Sequence, residues 1–168
     1  AVSQPSNKLE PIDVFDIEYV SNPEISPQGD KILFLRNFKD IMTDKNLSNL
    51  WVVNFDGSDM RPITTGNHNA SSPKWSNSGK MFTYKSNEEG KSQLYLYNLE
   101  NNSTQKLTNF QSSIGNVEWS PDDKYLQFNS FVESADSRLI KMPKKPKGAD
   151  WNSPPIEIDD MVYRYDGG

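Results

Sequence analysis

The chain repeats one sequence pattern three times, and this repeat constrains the fold more than any other feature. The pattern occupies residues 23–36, 73–86 and 117–130. Each copy begins with a turn of the type Ser-Pro/Asn-x-Gly/Asp, and the turn serines Ser26, Ser76 and Ser120 are 50 and 44 residues apart. A repeat of this length indicates a supersecondary unit that buries its apolar face only by stacking against its neighbours.

The spacing of apolar residues inside the repeat indicates strands. A second sequence pattern, at residues 50–65, recurs at residues 94–108, again with an offset of 44 residues. Within it Leu94 and Leu96 alternate with Tyr95 and Tyr97, which is the period of a strand with both faces buried. Units of roughly 40–50 residues with four strands each are typical of propeller blades. The sequence therefore predicts an all-β fold, a partial β-propeller of about three four-stranded antiparallel blades. Its repeats resemble those of TolB-like or WD40-like propellers.

The same reasoning predicts individual strands and core residues. Strands of the second unit are expected near residues 72–75, 81–86, 93–98 and 105–108. Trp75 and Trp119 each precede a turn serine and are expected in the core of an inner strand, where the first unit has Ile25. A ligand-stacking role for these indoles is the alternative.

The two ends of the chain do not follow the repeat. Residues 1–11 are expected to be a disordered lead and residues 12–168 a propeller fragment. Its blade units lie near residues 23–66, 72–109 and 115–165, the last one irregular. Asp13 is the predicted N-cap of a short helical turn that packs Phe15 and Tyr19 on the first blade.

The late segments are expected to join blades. Residues 143–155 are rich in Pro and Lys and should form an extended connection, after which residues 156–167 return to strand character. A closed propeller has four or more blades. The visible repeats are therefore expected to belong to a larger propeller, or to a homo-oligomer that closes the ring through open blade edges.

Composition excludes several functional classes. The net charge is −5 and the one cationic run, residues 141–147, is short and interrupted by proline, which argues against a nucleic-acid partner. No stretch approaches the ~20 apolar residues of a membrane span. The absence of cysteine excludes disulfides, thiol catalysis and cysteine metal sites. The polar start at Ala1, without Met, suits a mature end after signal-peptide removal, so a periplasmic or otherwise exported protein is expected, with a cytoplasmic one as the alternative.

Few residues qualify for a chemical role. Glu88 and Glu89 form an adjacent carboxylate pair that could hold an ammonium group, although their position in a hairpin turn favours ordinary surface charge. His68 is the single histidine and lies in a loop typical of surface residues. There is no Gly-x-Ser-x-Gly nucleophile elbow and no histidine pair for a metal. No catalytic residue, metal ligand or cofactor is expected in this chain.

Three segments carry a resemblance to a known family. Residues 13–36 are similar to the opening of bacterial prolyl oligopeptidase-family serine peptidases of the acylaminoacyl-peptidase or dipeptidyl-peptidase branch. The phrase Pro-Lys-Gly-Ala-Asp-Trp at residues 146–151 and the phrase Tyr-Arg-Tyr-Asp-Gly at residues 163–167 resemble the passage that opens a further blade in those peptidases. The Trp-Ser-Pro/Asn turns are shared more widely, including with TolB-like propellers.

The resemblance covers residues 12–168 and implies the N-terminal part of a larger propeller. In that family the propeller caps a C-terminal α/β-hydrolase domain with a Ser-Asp-His triad and admits peptide substrates to it. No residue of this chain matches the triad, so the chain alone is expected to be inactive. The rival interpretations are a TolB-like, non-catalytic binding propeller in an envelope assembly, and a scaffold that dimerises to close its ring.

Overall fold

The computed structural model describes residues 8–131 and 144–150. The chain forms two compact units, residues 1–133 and 134–168. In the second unit, the described residues form a turn in which the Ala149 N–H donates to the Pro146 carbonyl oxygen at 3.1 Å. The three sequence repeats lie in the first unit. The strand expected at residues 156–167 and most of the lead expected at residues 1–11 lie outside the described residues.

Over residues 8–131, the first unit contains ten strands in three antiparallel sheets. The first sheet comprises β1 (Tyr19–Ile25), β2 (Lys31–Asp40), β3 (Lys45–Asn54) and β4 (Arg61–Pro62). The second comprises β5 (Ala70–Trp75), β6 (Met81–Ser86), β7 (Gln93–Asn98) and β8 (Ser103–Lys106). The third pairs β9 (Ile114–Trp119) with β10 (Leu126–Ser130). Consecutive strands are neighbours in every sheet, as in propeller blades, which confirms the predicted all-β partial propeller.

A core of aliphatic and aromatic side chains joins the first two blades. The members that the first blade contributes are Leu33, Leu35, Leu50 and Val52, and those of the second are Ala70, Trp75, Phe82, Tyr84, Tyr95 and Tyr97. The ring of Phe82 is fully buried, with its centroid 4.9 Å from that of Tyr97 and 5.3 Å from that of Trp75. Burial of each such side chain contributes about 1.5–3 kcal/mol, so this interface holds the blades together.

A smaller core joins the second blade to the third. Leu94 contacts Ile114 and Val117 there, and the half-buried Leu126 and Phe128 pack against them. Leu94 belongs to β7 next to Tyr95, whose ring faces the first blade instead. The alternation seen in the sequence therefore has the predicted cause, because the middle blade is packed on both faces.

Two equivalent threonines each accept a hydrogen bond from the third strand of a complete blade. The Leu50 N–H donates to Thr64 Oγ1, and the Leu94 N–H donates to Thr108 Oγ1, both at 2.9 Å. The two pairs are offset by the same 44 residues as the sequence phrase that contains them. A buried backbone donor without a partner costs about 1–3 kcal/mol, which explains a hydroxyl at both positions.

The N-terminal helical turn differs from the prediction in its cap. A 3-10 helix covers Pro11–Phe15 and its N-cap is Glu10, so the prediction that Asp13 is the N-cap was wrong. The Asp13 carboxylate instead accepts the Glu10 N–H at 2.8 Å from within the first turn. Tyr19 already belongs to β1 and is 61 % exposed, so it does not pack a helix on the blade. Among the described residues, no helix has the length and apolar character needed to cross a membrane.

One face of the first blade has no neighbouring blade among the described residues. Phe34 and Trp51 stack there with centroids 6.5 Å apart, and Val20, Ile25 and Met60 are each about 60 % exposed nearby. Residues at equivalent repeat positions in the second blade are buried where Val20 and Ile25 are exposed, namely Ala70 and Trp75. This surface, defined by these five residues, is called the open face below.

Candidate functional site

The first strands of the three blades, β1, β5 and β9, are connected by their tryptophans. Trp75 Nε1 donates to the Glu24 carbonyl oxygen at 3.0 Å, and Trp119 Nε1 donates to the Lys74 carbonyl oxygen at 3.2 Å. Each indole thus satisfies its polar atom on the first strand of the preceding blade. The prediction that these tryptophans are core residues of an inner strand holds for Trp75, which is only 7 % exposed. Trp119 is half-buried and belongs to neither core cluster.

Between these strands lies a polar cavity of about 240 Å³. Its wall carries one charged residue from each first strand, at equivalent repeat positions: Glu24, Lys74 and Glu118. These three residues are called the charged strip below. Lys74 Nζ lies 3.6 Å from a carboxylate oxygen of Glu118. Over residues 8–131 and 144–150, neither an ion pair nor a hydrogen bond holds the carboxylate of Glu24.

The cavity also contains two irregular backbone positions. Asn22 and Ser72 both have a φ of 50°, the left-handed region that side chains rarely occupy. Each lies at a bulge, where the pairing register of the first strand shifts against the second. Bulges of this kind redirect side chains. A residue in such a backbone conformation costs about 1–3 kcal/mol, and it persists only where the surrounding structure holds it in place. The repeat alone gave no signal for this feature.

The turns beside the charged strip are interlocked from blade to blade. The Gln28 Nε2 amide donates to the Ser78 carbonyl oxygen at 2.7 Å, and its side chain fills the space where a Cβ on Gly79 would lie. The Asp123 carboxylate accepts the backbone N–H groups of Asn77 and Ser78, each at 2.7 Å. Burial raises the pKa of the Asp123 carboxyl, but the hydrogen bonds from Asn77 and Ser78 outweigh this and hold the pKa below its ordinary value.

Glu88 and Glu89 are the carboxylate pair that the sequence offered as a weak binding candidate. Glu88 and Glu89 lie in the turn between β6 and β7, as expected. The Glu89 carboxylate accepts a hydrogen bond from Lys106 Nζ at 2.5 Å, and this bond raises the pKa of Lys106. Glu89 is therefore engaged by a neighbouring strand, and the pair does not present two free carboxylates to a ligand. A binding role for Glu88 and Glu89 remains a prediction.

Other polar residues of the described structure have structural explanations. The side chain of His68 lies beside Gly66, in the loop before β5. Burial raises the pKa of Tyr84 to about 12, so its phenol stays protonated at neutral pH and is no base. Across the described ranges, no group of three or more His, Asp or Glu side chains could hold a metal ion.

Comparison with known proteins agrees with this geometry. Residues 16–145 match the family model PD40, the TolB beta propeller domain. The chain belongs to this TolB-type propeller family. A structure of the acylaminoacyl peptidase of Pyrococcus horikoshii aligns with a TM-score of 0.62 at 19 % identity, over 80 % of this chain and 20 % of that protein. At 19 % identity, this structural similarity shows that the TolB-type propeller and the peptidase share a fold, and it shows nothing more.

Relatives of this TolB-type propeller include peptidases. The uncharacterized peptidase YuxL of Bacillus subtilis is 24 % identical over 92 % of the chain and 23 % of its own length. Dipeptidyl-peptidase 5 of Porphyromonas gingivalis is 31 % identical over 87 % of the chain and 21 % of its own length. The Tol-Pal system protein TolB of Alcanivorax borkumensis is 31 % identical over 57 % of the chain and 22 % of its length. The chain thus spans about a fifth of the length of each of these relatives.

Proposed function

We propose that this chain is the propeller of a serine peptidase of the prolyl oligopeptidase family. The observation that carries the proposal is the extent of the peptidase matches. The match to YuxL covers 156 residues, which is longer than the whole span from residue 23 to residue 130 that contains the repeats. The TolB protein matches over 97 residues, which the shared repeats alone can supply.

In this proposal the propeller acts by exclusion. Blades of a propeller surround a central channel, and we assign β1, β5 and β9 to its wall. Hydrolysis takes place at a Ser-Asp-His triad in a C-terminal α/β-hydrolase domain of the full-length protein. Short or unstructured peptides pass the ring and reach the triad, whereas folded proteins are too wide. The chain itself contributes no nucleophile, base or oxyanion donor.

The proposal is tested by offering the full-length protein one target peptide sequence in two forms, unstructured and folded. The full-length protein should cleave a short peptide p-nitroanilide and an unstructured peptide, and a serine-directed inhibitor should abolish both activities. The same peptide sequence inside a stably folded host domain should resist cleavage until the host is unfolded. The isolated chain of residues 1–168 should show no turnover. Cleavage of the folded host at a comparable rate would reject the screening role, and turnover by the isolated chain would reject the assignment of catalysis to another domain.

The second candidate function is a non-catalytic, TolB-like binding propeller in an envelope assembly, which the 31 % identity to the TolB protein favours. It predicts a full-length protein without a Gly-x-Ser-x-Gly strand–turn–helix and without inhibitor-sensitive hydrolysis. Both candidates are compatible with a periplasmic or otherwise exported protein, and fractionation of cells that express the full gene tests that location.

A further inference from the structure

We infer that a cleft at one end of the first two blades binds the free C-terminal carboxylate of a peptide whose last side chain is apolar. This inference goes beyond the proposed function, because it assigns to the propeller a binding site that does not depend on hydrolysis. The cleft lies between the start of β1, the hairpin of β2 and β3, and the start of β5, at the opposite end of the strands from the turn serines. It is called the hairpin cleft below, and its wall includes Ile17, Tyr19, Lys39, Asn46, Leu47 and Ala70.

The first step is the size and apolar character of the hairpin cleft. Its volume is about 340 Å³, which is within the range of small-ligand sites and leaves room for one large side chain with its own backbone. Ile17 and Tyr19 are 56 % and 61 % exposed, whereas the wall residues Leu47 and Ala70 are buried. An apolar side chain that enters the cleft removes exposed apolar surface from water, which is favourable by about 25 cal/mol per Å² of area buried.

The second step is the direction of Lys39. It pairs with Asn46 across β2 and β3, two residues along from the pair of Asn37 and Ser48, so both pairs lie on the same face of the sheet. The Ser48 hydroxyl donates to the Ala70 carbonyl oxygen at 2.7 Å, so this face is turned towards the second blade. Lys39 and Asn46 therefore face the hairpin cleft.

The third step is the charge of the wall. Lys39 is the one charged residue of the described wall, which contains no carboxylate. It is half-buried, and over residues 8–131 and 144–150 neither its ammonium group nor the Asn46 amide has a hydrogen bond or an ion pair. Two carboxylates of the adjoining segments are held elsewhere, Glu18 by Arg36 and Asp40 by its own hairpin turn. The hairpin cleft thus offers a cation and an amide donor to an anionic group of the ligand.

The fourth step is a free strand edge, which favours a peptide as the occupant. The pairing of β1 with β2 begins at Tyr19 and Asn37, so residues 38–40 of β2 pair only with β3. In the described structure, no backbone hydrogen bond joins residues 8–18 to residues 38–40. A free edge supplies backbone donors and acceptors to an extended peptide, whereas an apolar acid without a peptide backbone cannot use them. The C-terminal end of a peptide matches the edge, the apolar wall and the cation together.

The experiment uses the full-length protein, treated with a serine-directed inhibitor so that no peptide is consumed. The probes are three short uncharged peptides with a fluorescent label at the N-terminus: one that ends in leucine with a free carboxylate, the same peptide as its C-terminal amide, and one that ends in serine with a free carboxylate. Fluorescence anisotropy gives the Kd of each. Wild-type protein should bind the leucine acid about two- to fivefold more tightly than the amide, as for a partly exposed charge pair. It should bind the serine acid more weakly than the leucine acid, because less apolar surface is buried.

Two variants decide whether Lys39 meets the carboxylate. Lys39→Gln should reduce the acid:amide ratio of affinities to about one, and Lys39→Arg should keep it, because arginine retains the cation. The matched control is Lys45→Gln, which removes the same charge from an exposed residue of the same hairpin that is not part of the described wall. This control should keep the wild-type ratio.

The outcomes are independent of the peptidase assignment, because binding is measured without turnover. Equal affinities for the acid and the amide, a preference that survives Lys39→Gln, an equal loss in Lys45→Gln, or no binding in the millimolar range would each overturn the inference. A preference that only Lys39→Gln abolishes supports it, even if the protein without inhibitor hydrolyses no peptide and the peptidase assignment fails.

Discussion

Asp123 shows how a single residue can join two blades. It stands at the turn position where the other repeats have Gly29 and Gly79, and it adopts the same left-handed backbone with a φ of 57°. A carboxylate there reaches the backbone N–H groups of Asn77 and Ser78 in the neighbouring turn. The sequence shows only a departure from glycine. The contact that Asp123 makes depends on the distance between the turns of two blades, and the sequence of one repeat does not give that distance.

We expect Asp123→Ala to destabilise the protein by about 0.5–1.5 kcal/mol, because two backbone donors lose a charged acceptor and bond to water instead. Asp123→Gly should also be destabilising, although glycine relieves the backbone strain. Asp122→Ala is the control, since that carboxylate accepts hydrogen bonds only from Ser120 and Lys124 in its own turn. Urea unfolding measures the three variants. An equal loss of stability for Asp122→Ala would contradict the role of Asp123 as a link between blades.

The same contact predicts a pH dependence. The folded-state pKa of Asp123 is lowered, so its stabilisation is present above the unfolded pKa of about 3.9 and is lost as the pH falls through the folded value. The difference in unfolding free energy between wild type and Asp123→Asn should therefore be constant near neutral pH and shrink below about pH 4. Urea titrations at several pH values measure it. A difference that persists unchanged into the acid range would show that charge is not involved.

The strands were predictable from sequence to different degrees. β6 and β7 occupy the expected residues 81–86 and 93–98, since each alternates apolar residues between two turn signals. β8 begins and ends two residues earlier than expected, because exposed polar residues carry no period. The bulges of β1 and β5 could not be predicted, because they depend on how a first strand meets both its own sheet and the next blade. The charged strip was missed for the same reason.

At the level of the strand, Thr108 should be needed for its hydroxyl rather than for its size. Thr108→Val leaves the Leu94 N–H without its 2.9 Å acceptor and deprives Gln93 of a donor at 2.9 Å. We expect a loss of about 1–3 kcal/mol in the free energy of unfolding. Thr108→Ser keeps the oxygen and should lose clearly less. If valine were tolerated as well as serine, the threonine would be a packing residue only.

On the scale of the whole molecule, the open face of the first blade is an apolar surface that no other blade of the described structure covers. Trp51 Nε1 is buried there without a hydrogen-bond partner in the described structure, and a groove of about 540 Å³ lies between Trp51, Phe34, Met60 and their neighbours. The Arg36 guanidinium, paired with Glu18, covers part of the Trp51 ring at 5.8 Å. A face of this composition is suited to a further blade of the same ring, and an isolated first unit should bind other apolar surfaces instead.

The isolated chain should therefore bind a hydrophobic dye and associate as its concentration rises. The double variant Ile25→Lys/Met60→Lys places charges on the open face and should weaken both effects. The matched control, Ile41→Lys/Met42→Lys, adds the same charges to two exposed apolar residues in the hairpin turn between β2 and β3. Sedimentation velocity follows the association. Because the control changes composition equally, a shift towards monomer in both variants would assign the effect to net charge, whereas a shift in the first alone assigns it to the open face.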